Sequence, residues 1–568
     1  MRMENRLTFL LLMISKSHWV FLLLAVLVVL LVYRPLFFDG ILISDDYEHH
    51  AARLGNYYLA LQQGQYLPRW APNLNGGFGY PVFNYSYHLP YLVGTVIHVL
   101  GASIQESLNG SIIFALIAGT IGTYFLVRVY GLHPRTSLLL SLAYMINPYF
   151  LLLIFWRGAL GEIFAYVVAS YVLLFLELGR RVWEPKRQAL IFFLQCISLS
   201  ALLLSHLPFA IIIIACIGGY VIVSGDKHVA RSFCLATITA LLLTAFYWVP
   251  AVFERSFTTY SSGEYLLQHV GQFVPLTELI TIFRSINSSR FFLHVVQIGI
   301  FPLVACAIVL YQLQNLKQSA RLEAWYWIVV MIASALLITP MSAFLWNSFS
   351  PMQMIQFPWR MLLVLNLASL IMIARFIIGV RPHLFVVEVL LAVSITASVF
   401  GYAHSKGTTS RSDYEWYQTI ATTASFDEHR PIWFSVPERT MPDIYFFDGQ
   451  PPVDNVLPNY DARLHVITNN GTVLNYIVEA SSSGYLIHKR AFFPGWKATV
   501  DQVQTPISHD ISQFTGLVAV PVDSGTHQIR LSFSESTPAR TIGSIVTVIG
   551  LLALTFQLWR YHSYSQKL

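Results

Sequence analysis

The chain is dominated by long apolar runs that alternate with short polar segments. A membrane-spanning helix needs about 20 predominantly apolar residues. The windows that qualify lie near residues 18–38, 107–129, 137–156, 162–179, 188–207, 209–224, 231–252, 294–313, 324–341, 359–379, 383–402 and 541–559. The first is longer than a signal-peptide core and has no small-residue cleavage site behind it, so we expect a retained anchor. The pattern predicts an all-α polytopic membrane protein of about twelve transmembrane helices.

Basic residues between the runs predict the orientation. If the N-terminus is cytoplasmic, the basic clusters at alternate ends of the runs all fall on the same side, as the positive-inside rule requires. They contain Arg128, Arg135, Arg180, Arg181, Lys186, Lys227, Arg231, Lys317, Arg321, Arg375, Arg381 and Arg560. We therefore expect a multi-pass protein of the cell membrane with both termini in the cytoplasm.

This orientation leaves three long segments on the outer face, at residues 39–106, about 253–293 and 403–538. The first is dense in aromatic residues, Pro and Gly, which is typical of an ordered, partly helical loop on the membrane. The second mixes polar and apolar residues without a spanning run, and we interpret it as a lid.

The third outer segment has the composition of a soluble domain. Stretches such as VLNYIVEA and HQIRLSFS alternate apolar and polar residues and are separated by turn residues such as NNG and DSG, which indicates antiparallel strands. We predict an extracytoplasmic β-sandwich. The chain then divides into a transmembrane domain (1–402), a β-rich domain (403–538), and a last transmembrane helix with a cytoplasmic tail (539–568).

Composition supports the membrane assignment and excludes other classes. Of all residues, 55% are hydrophobic and 11% are charged, against about 25% charged in soluble domains. The net charge of +6 comes from short clusters between apolar runs, so it indicates orientation and no nucleic-acid partner. The four cysteines all lie inside apolar runs without metal-ligand spacing, which argues against disulfides and a cysteine-bound metal.

The stretch ISDDYEHH, directly behind the first run, concentrates ionisable groups at the membrane surface. A helix that starts near Ser44 would bring four side chains to one face, because they follow the i, i+3, i+4, i+7 rule. These are Asp46, His49, His50 and Arg53. Charged groups at this depth that face a cavity usually mark a site.

Two residues of this stretch also fit a structural role. Asp45 with Glu48 three positions later resembles a capping box, which would only start the helix. We predict a catalytic role for Asp46, assisted by Asp45, Glu48 and His49. Whether Asp45 is a site residue or only caps the helix stays open.

Other candidates lie at the outer ends of spans. Arg157 and Glu162 stand in the turn WRGALGE, and Arg360 stands in QFPWR. Guanidinium groups suit phosphate oxygens. We therefore expect Arg53, Arg157 and Arg360 to bind substrate, together with Glu162 and His206. The alternatives are an Arg157–Glu162 ion pair, snorkelling of Arg360 to headgroups and, for His206 in LSHLPF, an ordinary helix-end residue.

The sequence has no P-loop, dinucleotide fingerprint or HExxH motif. A group transfer outside the cytoplasm therefore needs an activated donor that is available there, and lipid-phosphate sugars are the obvious class. Sugar transfer needs a carboxylate for the acceptor hydroxyl and cations for the leaving phosphate, and the chain has both on the same side.

The motifs DYEHH, GQYLPRWAPNLNGGFGYPVFNY, WRGALGE, QFPWR and FFPGWKATVD resemble the GT-C superfamily of polyprenyl-linked-sugar glycosyltransferases. Within it they are similar to the bacterial YfhO-like proteins and to the group named 6-pyruvoyl-tetrahydropterin-synthase-related membrane proteins. The resemblance implies a GT-C-like transmembrane domain and Asp46 as the base, with Arg157 and Arg360 near the lipid phosphate. Where such proteins often read VDGK, this chain reads VDQVQ from Val500.

These observations favour a glycosyltransferase that moves a sugar from a polyprenyl phosphate to an outer acceptor. The need for a divalent cation stays open. A transporter or flippase for lipid-linked glycans is the alternative, although charges near the middle of several spans would be expected of it. An assembly factor or sensor acting through the β-rich domain is a third interpretation.

Overall fold

The computed structural model describes residues 16–567 except 183, 262–266, 268, 282–295, 420–427, 436–442, 448–461 and 470. The longer helices are Lys16–Val32, Tyr47–Gln62, Leu89–Val99, Ile104–Val129, Pro134–Met145, Leu160–Arg181, Pro185–Ser205, Leu207–Ser224, Lys227–Leu243, Ala245–Phe253, Ile300–Gln312, Gln318–Ile338, Leu362–Phe376, Leu384–Tyr402 and Pro538–Lys567. Shorter helices are Val82–Tyr85, Pro148–Leu152, Leu276–Leu279, Ala343–Ser348, Ser350–Gln353 and Asp413–Tyr417. The fold is mostly helical, as predicted.

Eight helices of the described chain are long and apolar enough to cross a membrane, or ten if two bent pairs each count as one span. The protein is therefore a multi-pass membrane protein. The predicted number of twelve is not confirmed, because the helices in two windows, Lys16–Val32 and Ile300–Gln312, have only 17 and 13 residues.

One of the bent pairs has a clear local cause. Pro134–Met145 and Pro148–Arg157 meet at a bend of 46°, where Pro148 cannot continue the ladder of backbone hydrogen bonds. Asn147 restarts the helix, because its side-chain oxygen accepts from the amide of Phe150 at 3.0 Å. The second half ends in one π-helical turn, Leu153–Arg157, a feature often found at functional sites.

The first outer loop is ordered and partly helical, as predicted. Its main element is the helix Tyr47–Gln62, which we call the first-loop helix. The predicted capping box of Asp45 and Glu48 is wrong: Asp46 is the N-cap residue without a side-chain cap bond, and Ser44 Oγ accepts the Tyr47 amide at 3.2 Å. Glu48 instead pairs with Arg411 at 2.6 Å.

The C-terminal region is β-rich, as predicted. One antiparallel sheet has the strand order Ala462–Asn469, Val473–Ala480, Gly525–Phe533, Trp496–Val500 and Val503–Thr505. A second sheet has the order Ile444–Phe447, Gly484–Ala491 and Leu517–Val522. Side chains from both sheets share one core that also includes Trp70 and Phe78 of the first outer loop. The sandwich arrangement itself stays a prediction.

The departure from VDGK still forms a tight hairpin turn. Asp501 and Gln502 have φ values of 50° and 68°, the left-handed pair that a two-residue hairpin of type I′ requires. The Asp501 carboxylate accepts from the Gln528 amide at 2.8 Å and contacts His527 Nδ1 at 2.7 Å. These bonds stabilise a turn that lacks glycine.

Candidate active site

A cavity of about 650 Å³ opens where the first-loop helix meets the ends of several spans that the sequence predicts to be outer. Its wall contains seven of the nine site residues predicted from the sequence. They are Asp46, His49, Arg53, Arg157, Glu162, His206 and Arg360. Asp45 and Glu48, the other two, do not line it. The roles of all nine remain predictions, but the structure brings seven of them to one place.

The first-loop helix supplies one side of the cavity. Asp46, His49, His50 and Arg53 all line it, so the predicted common face exists. His50 is fixed from two sides, with Tyr91 Oη 2.8 Å from its Nδ1 and Tyr87 Oη 3.1 Å from its Nε2. These contacts fix the rotation of the helix, and with it the direction of Asp46.

A second chain segment lies directly against the start of this helix. The amides of Asp45 and Asp46 donate to the carbonyls of Trp156 and Arg157, each at 3.0 Å. Gly158 follows with a φ of 67°, and a Cβ there would stand 2.4 Å from Ser44 Oγ. Only glycine fits this approach, which holds Arg157 beside the acidic pair.

Arg157 faces two carboxylates without a short contact to either. Its Nη2 lies 3.7 Å from Asp46 Oδ2, and its Nε lies 3.9 Å from Asp45 Oδ2. Both distances exceed those of hydrogen bonds. The side chains of Asp45 and Asp46 keep 20% and 29% of their surface exposed. The guanidinium therefore acts on the acids through its charge.

Glu162 and Arg360 form a tight pair on the opposite side. Arg360 donates from Nη2 and Nε to Glu162 Oε1 at 2.7 and 2.8 Å, and Tyr149 donates to Glu162 Oε2 at 3.0 Å. The predicted snorkelling alternative for Arg360 is wrong, because its side chain is buried beside Glu162. Glu162 thus bonds Arg360, and the alternative of an Arg157–Glu162 ion pair stays a prediction.

Phe357 lies between the two guanidinium groups. The central carbons of Arg157 and Arg360 each stand 5.0 Å from the centre of its ring, and the ring stacks on Trp359 at 4.7 Å. Cations are attracted to aromatic faces, so the ring orders both side chains. We call the part of the cavity wall formed by Arg157 and Arg360 the cationic wall.

Burial changes the chemistry of the acid. It raises the pKa of Asp46, while the charge of Arg157 acts in the opposite direction. Burial also lowers the pKa of His49. A carboxylate whose pKa is moved toward neutrality is a better proton acceptor, and burial favours the neutral form of His49.

One part of the cavity wall is apolar and reaches the outer surface of the helices. It is formed by Leu207, Pro208, Ile211, Ile212, Ala251, Val252, Phe349, Pro351, Met352, Met354 and Ile355. Ile211, Val252 and Phe349 are exposed on the surface of the protein at 61%, 51% and 57%. The cavity is therefore amphipathic, with a charged part and an apolar part.

His206 fits the helix-end alternative and also faces the cavity. Its Nδ1 accepts from the amide of Phe209 at 3.4 Å at the start of Leu207–Ser224. A substrate contact by His206 therefore stays a prediction.

Several cavity residues were not predicted. Arg255 and Tyr260 come from the second outer loop, and Glu428 and His429 come from the third. No periodicity marks these segments, so the sequence offered no signal beyond their polar character. Part of the predicted lid, at residues 262–266, 268 and 282–293, lies outside the described residues.

Metal binding was left open from the sequence. Within the described part of the chain, no group of three or more His, Cys, Asp or Glu side chains could hold a metal ion. The need for a divalent cation stays open, and arginine side chains supply positive charge to the cavity wall.

The sequence matches no protein-family model and no curated protein. Solved structures similar to this chain include the arabinofuranosyltransferase AftD from Mycobacteria, at 16% identity and a TM-score of 0.41 over 69% of this chain. They also include the oligosaccharyltransferase AglB from Archaeoglobus fulgidus, determined with an inhibitory peptide and a dolichol-phosphate. AglB is 13% identical, with a TM-score of 0.46 over 75% of this chain. The chain spans only 27% and 62% of their lengths.

Both likenesses have TM-scores below 0.5, so the GT-C resemblance stated from the motifs stays a prediction. The YfhO-like subtype stays a prediction. Likenesses at these scores do not assign an activity, so function has to be argued from the residues of the cavity.

Proposed function

We propose that the chain is a membrane glycosyltransferase of GT-C type, which moves a sugar from a polyprenyl-phosphate-linked donor to an acceptor outside the cytoplasm. In this proposal both termini are cytoplasmic and residues 403–538 lie outside. The observation that carries it is one cavity of about 650 Å³ that combines a carboxylate, two ordered guanidinium groups and an apolar wall.

The two parts of the cavity match the two parts of such a donor. Arg157 offers a forked donor for phosphate oxygens. Arg360 adds positive charge beside it, while its Nε and Nη2 bond Glu162 and its Nη1 bonds the Ile355 carbonyl. Ile211 and Val252 of the apolar wall are exposed on the surface of the helices. In this proposal that surface faces the lipid, and an isoprenoid chain enters the cavity from the bilayer. The cavity thereby binds the charged head and the apolar tail of the same donor molecule.

The reaction follows from the position of Asp46. Its carboxylate takes the proton from an acceptor hydroxyl as that oxygen forms a bond to the anomeric carbon of the donor sugar. The bond between that carbon and the phosphate oxygen breaks, and its electron pair stays on the phosphate. Arg157 and Arg360 stabilise the added negative charge on the polyprenyl phosphate that leaves.

A transporter or flippase for lipid-linked glycans is the alternative proposal. The cavity charges lie at the outer helix ends, and another charged group lies at the opposite ends, where Arg180 pairs with Glu177 at 3.2 Å and Arg375 pairs with Glu323 at 2.9 Å. A transporter would move its lipid without breaking the sugar–phosphate bond. Release of free polyprenyl phosphate therefore separates the two proposals.

The test is Asp46→Asn in proteoliposomes. We expect transfer from a panel of short-chain polyprenyl-phosphate hexoses to alkyl glycosides to fall by about 100-fold or more, the effect of losing a general base, because the amide cannot accept the proton. Asp45→Asn is the matched control, since Asp45 lies outside the cavity wall, and it should cost less. Full transfer by Asp46→Asn would contradict the assignment of the base.

A further inference from the structure

The charged groups of the cavity are arranged in an order along the first-loop helix. Arg157 stands at its start, beside Asp46. Arg53 is seven residues further along, which is about 10 Å at 1.5 Å per residue. Arg53 and His429 both line the cavity. Asp46 therefore lies between the cationic wall and a second end of the cavity.

All three outer loops contribute to this second end. We call it the far wall, and it consists of Arg53, Tyr85, Tyr260, Glu428 and His429. Tyr85 comes from the first loop, Tyr260 comes from the second, and Glu428 and His429 come from the third. The reaction steps above use none of these residues.

Three rings of the far wall form one aromatic surface. The ring centres of Tyr85 and His429 are 5.7 Å apart, those of Tyr260 and His429 are 5.8 Å apart, and those of Tyr85 and Tyr260 are 6.3 Å apart. Three nearly equal distances describe a triangle and not a column. The planes differ by only 3° to 14°, so the three rings lie nearly parallel and form one aromatic cluster in the cavity wall.

The protein holds this surface in place through the main chain. The amide of Thr259 donates to the carbonyl of Arg430 at 2.9 Å, and the amide of Ile432 donates to the carbonyl of Phe257 at 3.1 Å. Arg255 lies 5.0 Å from the ring centre of Tyr260. The third loop is thus fastened to the second where both reach the cavity.

We infer that the far wall is the acceptor subsite and that it binds a sugar ring. The inference rests on the proposed function. An apolar ring face packs on the aromatic surface, while hydroxyl groups donate to the Glu428 carboxylate and accept from the Arg53 guanidinium. A ring bound there presents a hydroxyl to Asp46, with the donor phosphate on the other side of that carboxylate.

The experiment measures both Michaelis constants for each variant in proteoliposomes. The donors are short-chain polyprenyl-phosphate hexoses, and the acceptors are an alkyl glycoside and, as an acceptor without a ring, an alkyl glycerol. Glu428→Gln and Tyr260→Ala should raise the KM for the glycoside about tenfold or more, the loss expected for a hydrogen bond to a charged group or for a stacking contact. The KM for the donor should not change.

Matched variants control for folding and for the ring. Tyr414→Ala and Glu479→Gln remove the same groups at exposed positions outside the cavity and should leave both constants unchanged. Tyr260→Phe keeps the ring and should resemble the wild type. Tyr260→Ala should affect the glycoside more than the glycerol acceptor.

The outcomes separate this inference from the proposed function. No transfer by the wild type would overturn both. Transfer by the wild type with an unchanged glycoside KM in Glu428→Gln and Tyr260→Ala would overturn the subsite alone. A raised donor KM in these variants would assign the far wall to the donor and overturn the subsite as well.

Discussion

Two clusters of arginines and acids lie near the same ends of the spans: one joins loops to the β-rich region, and the other, in the cavity, contains the long contact Arg157–Asp46 as well as the tight pair Arg360–Glu162. We call the first the joint. There Arg540 donates to Glu254 Oε2 from Nη2 and Nε at 3.0 and 3.2 Å, and Asn84 donates to the same oxygen at 2.9 Å. Arg69 binds Glu535 at 3.1 Å. The joint ties two outer loops to the β-rich region and the last helix.

The second cluster is the charged part of the cavity. Arg157 stays 3.7 Å from Asp46, and the acid keeps 29% of its side chain exposed, whereas the side chains of Arg540 and Glu254 are 0% and 2% exposed. The same residue types therefore serve two purposes. Short contacts, which Arg360 and Glu162 also make in the cavity, hold parts of the fold together, whereas the longer contact of Arg157 with Asp46 leaves room for a substrate.

The largest expected effect is a difference in the free energy of unfolding between a variant of the joint and a variant of the cavity. Arg540→Gln leaves Glu254 buried without its cation, which should cost about 3–5 kcal/mol and show as a lower unfolding temperature in detergent. Arg157→Gln should cost much less, because water in the cavity can solvate Asp46. An equal loss in both variants would break the distinction between joint and cavity.

A smaller effect concerns donor binding. Arg157→Lys and Arg360→Lys replace a planar fork by a point charge, so the donor KM should rise about ten- to a hundredfold, since hydrogen bonds to charged groups contribute roughly 1.5–3 kcal/mol. Arg135→Lys is the control, because that side chain is 56% exposed beside Glu388. Unchanged donor KM values in both cavity variants would show that these arginines do not bind the donor and have a structural role.

The pH dependence of transfer gives a third, more modest effect. Asp46 must be deprotonated to act, so kcat/KM should fall as the pH drops through its pKa, which burial raises. Because Arg157 lowers that pKa, Arg157→Gln should move the acid limb to higher pH. Arg360→Gln should leave the limb in place, since Arg360 is not among the charges that act on Asp46. A limb that does not move in Arg157→Gln would exclude Asp46 as the titrating group.

Some of this geometry could be predicted because helical spacing is periodic. Asp46, His49, His50 and Arg53 share a face for that reason alone. The cap was misassigned by one residue: the N-cap is Asp46 and not Asp45, and the Tyr47 amide donates to Ser44 Oγ, because several residues of this stretch are good capping residues. The predicted number of twelve spans stays unconfirmed, because the length of an apolar run does not show how much of it is helical, as in Ile300–Gln312 with 13 residues.

The rest of the site depends on contacts between distant parts of the chain. Arg360 meets Glu162 across 198 residues, and His429 meets Tyr85 only after three loops have folded together. Neither contact has a local pattern, since each residue type is common at helix ends and in loops. Such contacts become visible only in three dimensions.

The smallest expected effect tests whether position in the cavity, and not nearness in sequence, decides the role of an acid. Glu48 is two residues from Asp46, but it points away from the cavity and pairs with Arg411, and the two side chains are 47% and 39% exposed. An exposed pair of this kind contributes about 0–1 kcal/mol. Glu48→Gln should therefore leave the transfer rate and both KM values unchanged and shift the unfolding temperature only slightly. A loss of transfer as large as that of Asp46→Asn would show that Glu48 takes part in the chemistry, and the cavity would then no longer define the active site.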